Sequence, residues 1–295
     1  MTSAIRDVLA TLKRFATFQS PPPYYSATLI TVLLVLGEWR YDILGGYERM
    51  VAALATAVVA EAALSLWLRG TWPRLVSAYI SGNSVLMLVK PAATPLWPFA
   101  IAAFISIASK YVLRYRGRHL WNPTNFGVTA LLFLAPSQVT PLSHQWGNEP
   151  ITLLVIYAIG LIVVVRASVV HITLTYVAAF AAFAWMRSGP SYDAWLVEMG
   201  PLSGPMYTLF IFFMVTDPRT IVSNRTGQYG VTIAIAALEA LIRMGLDRDV
   251  LWLQTMGAAP ALFALFVVGP PTLWWELRKQ ATPTEPTKPV LAAAA

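Results

Sequence analysis

The chain contains no cysteine, which excludes disulfides and cysteine-ligated zinc or iron–sulfur centres. Charge is also scarce: Asp, Glu, Lys and Arg make up 12% of the residues, about half the share of a soluble domain. Only three histidines occur. His119 and His144 fall in loops expected on opposite sides, and His171 opens an apolar segment, which argues against a haem held by paired histidines. There is no Walker loop, dinucleotide fingerprint, HExxH or Ser-His-Asp set, so no catalytic residue and no metal site is expected. What the chain does have is 57% apolar residues, the composition of an all-α, polytopic membrane protein.

Apolar segments fall at about 24–39, 47–69, 73–90, 95–113, 123–136, 151–166, 168–187, 201–217, 228–244 and 251–275. They predict about ten transmembrane helices, several shorter than the ~20 residues that a straight crossing needs. Gly200, Pro201, Gly204 and Pro205 interrupt the start of the eighth segment. Such breaks are tolerated where other protein or a bound group satisfies the freed backbone. Residues 1–23 read as a cytoplasmic amphipathic segment, 24–275 as the membrane domain and 276–295 as a disordered tail.

With the N-terminus placed inside, the alternation puts fifteen of the 21 basic residues on inner segments, four of them in the run Lys110, Arg114, Arg116, Arg118. Nine of the 14 acids fall outside. This bias predicts both termini in the cytoplasm. The third segment ends in MLVKPAATP and the eighth in FMVTDPRT, each with a charge before proline, five segments apart. Five is odd, so the halves, about 24–136 and 151–275, would be inverted five-helix repeats.

Four places carry candidate chemistry. Glu61, inside the second segment, is either a proton or cation relay or a hydrogen-bonded structural acid. Ser81-Gly82-Asn83-Ser84 either lets helices approach closely or lets a ligand sit against the backbone. Pro123 suits the first turn of a helix and Asn122 its N-cap. Asp217-Pro218-Arg219-Thr220 either ends a helix through a local ion pair or contributes to an anion site. Trp39, Trp67, Trp72, Trp97, Trp121, Trp252, Trp274 and Trp275 fall at segment ends, as in an aromatic belt.

The stretches RHLWNPTNFG (118–127) and FFMVTDPRT (212–220) resemble signatures of the NqrB/RnfD family. That family comprises membrane proteins of the sodium-translocating NADH:quinone reductase and of the Rnf electron-transport complex. The short VTPL-containing loop is most similar to a shorter, UnbU-like branch. The resemblance implies a bacterial inner (plasma) membrane protein that holds FMN or another flavin and passes electrons across the bilayer beside other membrane subunits. Coupling to ion movement is implied too, and nucleic acid is not among the partners. In the full-length relatives FMN is attached through a threonine in a Ser/Thr-Gly-Ala-Thr motif. Here Thr140 and its Pro-Leu match, but Gly-Ala reads Gln138-Val139, which favours a non-covalent flavin. Ser81, Gly82, Asn122, Pro123, Phe126 and Asp217 are the other positions expected to hold it. The alternative is a flavin-free membrane transporter or scaffold tied to a biosynthetic pathway, with Glu61 as its coupling residue.

Overall fold

The computed structural model describes residues 23–42, 44, 46–91, 95–141 and 150–280. The expected N-terminal segment lies outside these up to residue 22, as does the tail from 281. The protein is all-α, with four very short strands among the described residues. Its helices are α1 (Pro23–Tyr41), α2 (Tyr47–Arg69), α3 (Val76–Leu88), α4 (Trp97–Val112), α5 (Pro123–Leu134), α6 (Pro150–Arg166), α7 (Val170–Ser188), α8 (Tyr192–Met199), α9 (Pro205–Leu209), α10 (Arg225–Leu246), α11 (Gln254–Gly257) and α12 (Pro260–Lys279). Each of the ten apolar segments carries at least one helix of five residues or more, and the eighth carries two, α9 and a π-helical turn. The last differs most from its expected bounds. It starts at Pro260, where the ring suits a first turn, and runs on to Lys279, so residues 276–279 are helix rather than tail.

Four helices, α2, α7, α10 and α12, are long and apolar enough to cross a membrane. Tyr192–Ser203 with Met206–Met214 would make a fifth crossing, bent by 66°. Helices α3, α4, α5 and α6 are apolar but shorter. Large apolar side chains cover the outside of the bundle, among them Val59, Trp67, Leu154, Leu174 and Leu241. A surface of that kind suits lipid rather than water.

The interior is closed by devices that answer backbone breaks. Pro270 lies inside α12 and has no N–H to give the carbonyl of Phe266, four residues earlier. Trp121 Nε1 donates to that carbonyl at 3.0 Å and ties the start of α5 to α12. Beside it, Asn125 Nδ2 donates to the Leu262 carbonyl at 3.0 Å. Residues Phe210–Met214 form a π-helical turn, whose wider spacing loosens local hydrogen bonding. There the Thr173 hydroxyl donates to the carbonyl of Ile211 at 2.9 Å. Helices α4 and α5 touch so closely at Gly127 that an added Cβ would lie 2.0 Å from Ser106 Oγ and 2.5 Å from the Ala102 carbonyl.

The two ends of the bundle differ. At one, β2 (Arg114–Tyr115) and β3 (Arg118–His119) form a hairpin turned by Arg116 and Gly117, both at positive φ. At the other, β1 (Val89–Pro91) pairs antiparallel with β4 (Val139–Pro141), with Lys90 opposite Thr140.

Candidate functional site

The two signature stretches, about a hundred residues apart, meet at the hairpin end. Arg118 donates to the carbonyls of Pro218, Arg219 and Ile221 and to the Ser223 hydroxyl, at 2.9–3.3 Å. Asn122 acts as expected at the start of α5: its Oδ1 accepts from the Asn125 N–H at 3.0 Å, and Pro123 follows it in the first turn. Its Nδ2 donates to Asp217 Oδ2 at 3.0 Å. Asp217 also accepts from the Arg219 N–H at 3.0 Å and the Thr220 hydroxyl at 3.1 Å. The carboxylate therefore shapes the turn after the π-helical segment and pins it to α5.

Behind this junction lies a cavity of about 990 Å³ between α3, α4, α5, the α6–α7 junction and the π-helical segment. Its volume is at the upper end of the range for small-molecule sites. Its lining combines apolar side chains, Ile30, Ile80, Met87, Val163, Leu209 and Phe213, with the polar Ser81, Ser84, Asn122, Thr124 and Asp217 and the cations Lys110, Arg166 and Arg219. Towards the hairpin it adjoins a second hollow of about 740 Å³ that shares His119, Ala167–Val169, Pro218 and Arg219 and adds Arg118, His171 and Arg225. Among the described residues no carboxylate lines this outer hollow.

Of the residues expected from sequence, the cavity gathers Ser81, Asn122, Pro123 and Asp217. The others lie elsewhere. A Cβ on Gly82 would be 2.9 Å from Leu54 and 3.4 Å from Ala57, so this face of α3 lies against α2. The Phe126 ring stacks on Phe266 and meets Trp121 edge-on, on the α12 side of α5. Thr140 is exposed on the β1–β4 ribbon, its hydroxyl 3.4 Å from the Lys90 carbonyl. Helix α5, about 18 Å long by its residue count, separates it from Asn122.

The sequence assigned Lys110 to the basic loop. It is instead 5% exposed, in the last turn of α4. Its Nζ donates to the Ser77 carbonyl and hydroxyl, each at 3.1 Å, and to Glu61 Oε2 at 3.4 Å. Glu61 Oε1 accepts from the Tyr111 hydroxyl at 2.8 Å.

A second buried carboxylate, Glu239 on α10, was counted among the outer acids. It is fully buried, accepts from the hydroxyls of Tyr176 and Tyr207, and pairs with Arg243 Nε at 3.1 Å. Position four residues before an arginine on one helix face was the readable clue.

His119, outside the helices, is held below its ordinary range, at about 4. Burial is the main cause, and the positive charges of Arg114, Lys110, Arg219 and Arg69 add to it. It is therefore neutral at physiological pH. His171 Nε2 is 2.6 Å from Gln228 Oε1 across α7 and α10. Among the described residues no cluster of three or more metal-ligating acidic or histidine side chains occurs. No protein-family model matches the chain, and no curated protein matches it significantly.

Proposed function

We propose that the protein is a membrane subunit of an electron-transport complex of the NqrB/RnfD kind, with a flavin held non-covalently in the cavity between its halves. The observation that carries this reading is that the two signature stretches join at the wall of one large amphiphilic cavity. The lining suits such a group. Apolar side chains from α1, α3 and the π-helical segment accept a flat ring, Ser81 and Asn122 offer hydrogen bonds to its polar edge, and Lys110 and Arg219 face an attached phosphate. When bound, a flavin supplies the redox chemistry, while the chain positions it and keeps water from it. Thr140, at the far end of α5, belongs to a different place, which favours a cavity flavin without a covalent bond to that hydroxyl.

The proposed architecture is ten spans in two inverted halves, in a bacterial plasma membrane, with both termini and the Arg118 hairpin cytoplasmic. Packing supports the repeat. In the first half the first helix packs on the third, the second on the fourth and the fourth on the fifth. In the second half α6 packs on α9, α7 on α10 and α10 on α12, which is the same order. A buried carboxylate also occurs in each half, Glu61 towards one end and Glu239 towards the other.

The test is direct. The full chain, expressed with flavin available and purified in detergent, is expected to be yellow, with flavin absorbance released on denaturation and no added mass on the denatured chain. A colourless protein overturns the reading, and a flavin-phosphoryl adduct lost in Thr140→Ala moves the site to the ribbon. A flavin-free transporter is the second reading, favoured by the Lys110–Glu61 pair at the cavity wall. Colourless protein that exchanges an amphiphilic anion across vesicles would establish it.

A further inference from the structure

We propose that the cavity is a co-binding site for one anionic group and one proton, with Lys110 receiving the anion and Glu61 the proton. The inference stands apart from the flavin reading, because it needs only an amphiphile that carries a negative charge. Lys110 lines the cavity, whereas Glu61 lies behind it. Their separation of 3.4 Å exceeds the ~2.7–2.9 Å usual for a charged N–H···O contact. Glu61 has its closer contact with Tyr111, and Lys110 its closer contacts with Ser77. The ion pair is thus loose, and the ammonium is the deep cation best placed to accept a new partner.

Of the other groups at the cavity, Arg166 is already engaged within the protein. His119 is neutral. Arg219 is exposed at the mouth. The carboxylate in the cavity lining, Asp217, is already held by three donors.

An anion beside Lys110 would leave that ammonium shared between two negative charges, the anion and the Glu61 carboxylate. An uncompensated charge in a poorly hydrated interior is strongly unfavourable. Taking a proton onto the Glu61 carboxylate restores balance, and the neutral acid can still bond to Tyr111. The step is a proton transfer alone: an O–H bond of a hydronium ion or buffer acid breaks and one to the Glu61 carboxylate oxygen forms, the proton arriving through water at the basic mouth. The groups facing Glu61 allow this. They are Lys110 and Tyr111 from α4, with Ser77 of α3 bonded to Lys110 and Arg69, from its own helix, over the Tyr111 ring at 4.5 Å. None is a second carboxylate. Anion affinity then falls as pH rises, by up to about tenfold per unit, the slope of one linked proton.

Hexanesulfonate is a suitable probe, since it is amphiphilic and its charge does not titrate. Calorimetry on the full chain in detergent, in buffers of different ionisation heat, counts protons taken up per anion bound. About one proton per sulfonate is expected near neutral pH. Glu61→Gln should bind the probe without proton uptake. Lys110→Met combined with Glu61→Gln, which leaves no unpaired buried charge, should bind at least about thirtyfold more weakly. Binding without proton uptake in the unsubstituted chain overturns the proposal. So does uptake that persists in Glu61→Gln, binding that the paired variant leaves unchanged, or no saturable binding. Flavin absorbance in the purified chain is a separate measurement, so either reading can fail alone.

Discussion

Arg118 shows how much one side chain can settle. Its guanidinium bonds to three carbonyls and a hydroxyl of the 218–223 loop, groups that the broken segment leaves without helical donors. Arg118→Ala should lower the thermal midpoint in detergent more than Arg114→Ala, whose guanidinium bonds to the Gly117 carbonyl of its own hairpin. His119 gives a pH-dependent counterpart. Its folded value of about 4 lies below the unfolded 6.5. Its contribution to stability is therefore present above about pH 6.5 and is lost as pH falls towards 4, because the unfolded chain takes up the proton first. His119→Gln should flatten the midpoint-versus-pH curve over that window, measured by scanning fluorimetry. The sequence placed several of these residues well. The cap at Asn122 and the proline after it are local chemistry, readable from neighbours alone. Lys110 and Glu239 were misplaced because their burial depends on partners 49 and 63 residues away, Glu61 and Tyr176; only Glu239 had a local clue, Arg243 four residues on.

At the scale of elements, glycine positions separate close contact from free surface. Gly127→Ala would drive a Cβ into Ser106 and the Ala102 backbone, and should cost about 1–3 kcal/mol. Gly230→Ala, on the exposed side of α10 with nothing within 4 Å, should be neutral or raise stability by up to about 1 kcal/mol. Thermal midpoints of the two variants in one detergent check the contrast. Trp121→Phe leaves the Phe266 carbonyl beside Pro270 without its donor and should destabilise by about 1–3 kcal/mol. Helix positions were legible because long apolar runs and their flanking prolines and glycines are strong signals. The β2–β3 hairpin was not: its basic residues read as a loop, although a glycine after Arg116 marked the turn. The bend of the eighth segment was expected from Gly200, Pro201, Gly204 and Pro205, and a break of 66° is found there. Its π-helical turn has no comparable sequence mark, since it depends on donors such as Thr173 from another helix.

For the whole molecule, the absence of cysteine makes sidedness easy to measure. A single cysteine replacing exposed Arg114 and another replacing exposed Gln138 should react with a membrane-impermeant maleimide from opposite faces of sealed vesicles. Labelling of both from the same face would remove the proposed orientation of the two ends. The Arg118 contacts also bear on how anything enters or leaves. They fasten the hairpin to the loop after the π-helical turn, so one lip of the mouth is a single stiff piece. The opposite lip is the junction of α6 and α7, where exposed Ser168 sits at φ 58° and lines both hollows. Loss of the Arg118 side chain would therefore free the first lip, and with it the hairpin end shared by both hollows.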